Sequence, residues 1–112
     1  LLPPLYMKES IMNNLRTKFK HIRNVNCNGQ ILAQGGMTVA YIIDDDKNVL
    51  GFATAKCRIP DAFSKHIGRV KSEGRLKSPR YYIDLQKPVP EKEFLNDIIN
   101  LFNQFEKEHN HV

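Results

Sequence analysis

The side chains able to do chemistry crowd into one stretch of the chain. Lys56, Arg58, Lys65, Arg69, Lys71, Arg75, Lys77 and Arg80 place eight of the 17 basic residues between positions 56 and 80, with Phe63, Tyr81 and Tyr82 in or just after it. Guanidinium forks hold phosphate oxygens through paired hydrogen bonds, and aromatic faces stack on bases. Charge and stacking in one compact region is what recognition of a nucleotide or a single strand requires. The candidate binding set is Arg58, Asp61, Phe63, Lys65, Arg69, Arg75 and Tyr82. In it Arg58, Arg69 and Arg75 neutralise phosphates, Phe63 or Tyr82 stacks on a base, and Asp61 caps a helix and orients ribose or amide contacts. The competing description is core packing for Phe63 and a solvated face for the cations.

Catalysis finds less support. Ser64, Cys57 and Thr54 are the candidate nucleophiles, His21 and His66 the candidate bases, and Asp61 or Asp84 the orienting group. His66 follows Ser64 by two residues, which on a helix turns the side chains about 200° apart. No GxSxG or HExxH motif occurs, and Glu73, Asp84 and Glu91 form no recognisable pair. Cys27 and Cys57 lack CxxC or Cys/His spacing, so neither zinc nor a disulfide framework is expected. Asp44, Asp45 and Asp46 lack the spaced carboxylates of a calcium loop, and Gly35-Gly36 lacks the context of a phosphate loop. His109 and His111 on a polar tail make a poor metal site. A binding protein without cofactor or metal is expected.

The elements that position these residues follow from periodicity. Lys18 to Asn26 reads as a strand, and Thr38 to Ile43, β-branched and aromatic, as another. The aspartates form a solvated turn, and a third strand runs from Val49 to Cys57 with small Ala53, Ala55 and Cys57 alternating with Phe52, Thr54 and Lys56. Pro60 ends it, and Asp61 is placed to cap a basic helix by accepting from the Ser64 amide. Phe63, Ile67 and Val70 recur at helical spacing and are assigned to the sheet, with Gly74 as the stop. Tyr81 to Leu85 forms a fourth strand, closed by Pro88 and Pro90. A final helix carries the stripe Phe94, Ile98, Leu101 and Phe105, widened by Leu95 and Phe102, with Glu91 and Glu93 near its positive end. The expected fold is α+β in two layers, a mostly antiparallel sheet of four to five strands with two helices on one face, in the order β-β-β-α-β-α.

The 112 residues suit one domain, placed at 12–112. Residues 1–11 are read as an extension or upstream sequence, since Met7 and Met12 both offer starts. A charge of +5 and a pI near 9.3 favour anionic partners. A mean hydropathy of -0.46 with no long apolar run argues against a membrane span, and the two thiols suit a reducing cytoplasm. The acidic turn and acidic closing helix favour a confined anion site over a broad track along nucleic acid.

The run Ala53-x-Ala55-x-Cys57-x-x-x-Asp61-x-Phe63-Ser64-x-x-x-Gly68-Arg69-x-x-x-x-Gly74-Arg75-Leu76 resembles a pattern of small bacteriophage-encoded proteins. With the hairpin before it and the helix after it, the chain looks most like the Thoeris anti-defence sponges over residues 36 to 105. That resemblance implies a non-enzymatic homo-oligomer that sequesters a cyclic ADP-ribose-like signal or a cyclic oligonucleotide, with pockets near subunit interfaces. The alternatives are an inhibitor of a host defence protein or nucleoprotein, in the manner of an anti-CRISPR, and a single-strand nucleic-acid binder.

Overall fold

The computed structural model describes residues 15–109, so the assignments for residues 1–11 and His111 lie outside what is described. Four antiparallel strands, β1 (Arg16–Ile22), β2 (Met37–Ile43), β3 (Asn48–Lys56) and β4 (Ile83–Pro90), pair in sequence order. Helix α1 (Lys65–Leu76) joins β3 to β4, and helix α2 (Glu91–His109) follows β4. The expected α+β order β-β-β-α-β-α is therefore the observed one.

β2 explains how the layers assemble. Six of its seven residues are buried, the pattern of a strand covered on both faces rather than one. Met37, Val39, Tyr41 and Ile43 join Ile22, Val49, Phe94, Ile98 and Phe102 in the larger core under α2. The alternate residues face the other way: Ala40 packs with Ala53 and Leu76, and Thr38 lies against Gly68 of α1. The helices thus cover opposite faces of the sheet, which corrects the expectation that they share one. Bulky side chains on one face hold α2 off, while small ones on the other let α1 lie close.

That small face also reverses the expected orientation of α1. Gly68, Ser72 and Leu76, spaced i, i+4 and i+8, form the inward stripe, and Ser72 is fully buried. Ile67 and Val70, assigned to the sheet from sequence, are 53% and 58% exposed. Gly74 does not end the helix, which continues to Leu76 with Lys77 as its cap. In α2 the buried line is Phe94, Ile98 and Phe102, whereas Leu101 and Phe105 of the expected stripe are exposed.

Two polar clamps fix α2. At its start the Tyr41 hydroxyl donates to Glu91 Oε2 at 2.6 Å, and Lys18 reaches the same oxygen at 2.8 Å. Further along, Lys56 Nζ pairs with Glu106 at 2.6 Å and lies 4.0 Å from the centre of the Phe105 ring. The strands differ from expectation mainly at their ends. β1 closes at Ile22, after which Val25 bridges Ile31 across a turn held by Asn26. β4 continues through Pro88 and Pro90 because an edge strand needs no amide on its open side.

Candidate functional site

The segment between β3 and α1 builds the site. Cys57 N donates to Gly36 O, Gly35 N to Asp61 O and Phe63 N to Ala33 O, so residues 33–36 strap the turn at 57–63 onto the sheet. Gly36 is required there: its φ is 96°, and a Cβ would lie 2.9 Å from both Ile22 O and the Phe63 ring. The Cys57 thiol points into the same turn, with Asp61 O at 3.5 Å and the carbonyls of Arg58 and Ala62 at 3.6 Å. The sulfur is thus placed to donate to the turn's own carbonyl oxygens.

Beside this turn lies a hollow of about 250 Å³. Its floor is Thr38, Ala55 and Gly68, and its walls include Phe63, Ile67 and Lys71. Ser64 stands at the rim as the N-cap of α1, its hydroxyl oxygen accepting from Ile67 N at 3.2 Å. Ser64, not Asp61, therefore caps the helix, since only the residue adjoining the first turn can reach an amide three positions on. Asp61 instead turns outward, its carboxylate 4.0 Å from Arg58 Nε. The amides of Lys65 and His66 have no acceptor within α1, so the helix presents its positive end at this rim.

Of the candidate set, Arg58, Asp61 and Phe63 border the hollow. The three arginines do not converge. Arg69 and Arg75 are six residues apart, which separates them by about 120° around the helix and 9 Å along it. Arg75 Nη1 donates to Thr54 O at 3.0 Å, and its guanidinium lies 5.4 Å from the Tyr81 ring centre. Lys65 and Arg69 turn away from Ile67 and Lys71 of the hollow, toward the β1 side of the helix. Tyr82 lies over Gly51, where a Cβ would overlap its ring. Gly51 is four strand positions from Ala55, about 13 Å from the hollow, so Tyr82 is not a stacking surface there. Burial, with Asp84 nearby, pushes its hydroxyl pKa up.

Residues outside the candidate set complete the picture. Lys71 is an exposed cation on the wall, and Lys56 borders the hollow while sending its ammonium to Glu106 on the opposite face. His21 was absent from the candidate set. Its Nδ1 lies 2.9 Å from Thr38 Oγ1, and its ring meets Phe63 edge-on at 5.7 Å. Arg23 covers the same Phe63 ring at 4.6 Å, so one face of this aromatic is already occupied. Burial and then the charges of Lys65, Arg69, Arg23 and Lys20 hold the His21 pKa below its usual value.

Among the described residues no helix is long and apolar enough to cross a membrane, and no three metal-ligating side chains are gathered. No protein-family model, curated protein or solved structure matches the chain. Arg58 with Asp61 beside it, Lys71 and the N-terminus of α1 surround a space the size of a phosphate with part of a nucleoside.

Proposed function

We propose that this protein binds a phosphate-bearing small ligand of the cyclic nucleotide class in the hollow and sequesters it unaltered in the bacterial cytoplasm, as a phage protein evading an immune signal would. The observation that carries the proposal is the meeting of Arg58 and Lys71 with the open N-terminus of α1 around one 250 Å³ space. Backbone amides and cations together favour an anion there, and the apolar floor suits a ring or ribose face. A cyclic dinucleotide or cyclic ADP-ribose exceeds the hollow, so its remainder rests on the surrounding surface or on a second copy. Retention without turnover accords with the committed state of the nearby nucleophiles, Ser64 being a cap and Cys57 a donor to carbonyls.

The test is to purify the protein from cells that make the signal, denature it by heat and weigh the released small molecules. An intact nucleotide, released by wild type and missing from Arg58→Gln/Lys71→Gln, is expected. An empty supernatant from both, or a hydrolysed product, would overturn the proposal. A second reading, inhibition of a host protein, is favoured by one observation: Ile59, Ile67 and Val70 are each about half exposed or more. Under it a host protein co-purifies and is lost on Ile67→Asp.

A further inference from the structure

Thr38 of the hollow's floor and Phe63 of its wall both also touch His21, on the side away from the hollow. The stripe of α1 resting on the sheet divides the helix into two flanks. Around the helix from Gly68, which rests on Thr38, Ile67 and Lys71 turn one way, toward the hollow, and Lys65 and Arg69 turn the other way, toward β1. On that second flank Arg23 Nη2 donates to Leu32 O at 2.8 Å, while its Nε is buried without a partner. None of Arg23, Lys65 and Arg69 enters an ion pair within the described residues, whose pairs are Lys18–Glu91, Lys56–Glu106, Arg58–Asp61 and Lys77–Glu73.

We propose that His21, Arg23, Lys65 and Arg69 form a second anion subsite on the β1 flank of α1, taking a second phosphate of the ligand whose first phosphate occupies the hollow. The inference rests on the function proposed above for that first phosphate. Cations held near one another without carboxylates repel, and an anion of two charges relieves the repulsion. The charges acting on His21 are those of Lys65 and Arg69 from α1 and Arg23 after β1, and least of all Lys20, which lies opposite Val39 on the other face of the sheet. β2 carries no charged residue, and the carboxylate of the 57–63 turn, Asp61, lies beside Arg58. Phe63 separates the two lobes, lining the hollow on one side and meeting His21 and Arg23 on the other.

Occupation of the second lobe changes the state of His21. With the surrounding positive charge offset, the imidazole takes up a proton on binding, so the ligand binds more tightly at lower pH. The Thr38 hydroxyl tolerates the change, because it donates to a bare Nδ1 and accepts from a protonated one. By linkage, a rise of one pH unit in the His21 midpoint corresponds to about tenfold tighter binding well below the free midpoint than well above the bound one.

The experiment follows the His21 imidazole and the backbone amides by NMR from pH 5 to 8. It compares sodium sulfate with sodium chloride at equal ionic strength; sulfate mimics phosphate but does not titrate in this range. Sulfate is expected to raise the His21 midpoint by about one unit, an effect lost in Lys65→Gln/Arg69→Gln and kept in Arg58→Gln/Lys71→Gln. Equal His21 midpoints in the two salts, with sulfate-dependent shifts confined to the amides of Ser64, Gly68 and Ala62, would overturn the second subsite and leave the hollow standing. A His21 response with no sulfate-dependent shift around the hollow would do the reverse. Silence in both regions refutes both. Circular dichroism establishes that each variant is folded.

Discussion

The two glycines inside α1 should respond oppositely to the same substitution. Gly68 rests on Thr38: an added Cβ would overlap the Thr38 hydroxyl and lie 2.9 Å from its Cβ. Thr38 is fully buried and anchored to His21, so it cannot turn aside. Gly74 has nothing within 4 Å of an added Cβ. Replacing glycine by alanine in a helix interior gains about 1 kcal/mol in propensity. Overpacking a tight contact costs about 1–3 kcal/mol. Gly74→Ala is therefore expected to stabilise by about 1 kcal/mol, raising Tm by about 4 °C. Gly68→Ala should lose about 1 kcal/mol net, the packing penalty exceeding the propensity gain. Urea unfolding followed by circular dichroism measures both. Thr38→Ala should rescue Gly68→Ala only in part, since the Thr38 Cβ remains. If Gly68→Ala is stabilised as much as Gly74→Ala, α1 does not lie on Thr38, and the floor of the hollow is wrong.

Arg75→Ala is expected to cost about 1 kcal/mol of stability through its bond to Thr54 O and its place over Tyr81, while leaving binding of inorganic pyrophosphate unchanged. A loss of binding with unchanged stability would return Arg75 to the site. Glu91 has its pKa lowered by its bond to Lys18 and then by Tyr41. A depressed carboxylate contributes stability above its unfolded pKa and loses it as pH falls through the folded value. Wild type should therefore exceed Glu91→Gln in stability by about 1 kcal/mol at pH 7, the gap closing on acidification toward pH 3. A gap independent of pH would contradict the charged clamp. Cys57→Ser should keep the turn and Cys57→Ala loosen it, read as faster amide exchange at Asp61 and Phe63.

The parts of this fold legible in the sequence are those where one periodicity dominates. Thr38 to Ile43 and Val49 to Cys57 announce a hairpin, and Phe94, Ile98 and Phe102 announce a helix with a broad apolar side. The faces were harder to read. Ile67 and Val70 look like core because apolar residues usually are, yet the sheet beneath α1 is lined with Ala40, Ala53 and Thr38 and takes the small Gly68 and Ser72, with Leu76 at the helix end. The small alternating residues of β3 carried that information, but their consequence depends on which face of β2 each helix chooses. The site divided in the same way. Arg58, Asp61 and Phe63 were identified because they flank a helix start. His21 reads from sequence only as a candidate base, because its contact with Thr38 follows from the pairing of β1 with β2, which local sequence does not encode.

The central claim, that the hollow is an anion site, is tested most directly by titrating inorganic pyrophosphate into wild type and Arg58→Gln/Lys71→Gln by calorimetry at two salt concentrations. Wild type should bind with an affinity that falls with salt, and the double variant should bind about tenfold more weakly while unfolding at the same temperature. Equal affinities in the two proteins would contradict the account.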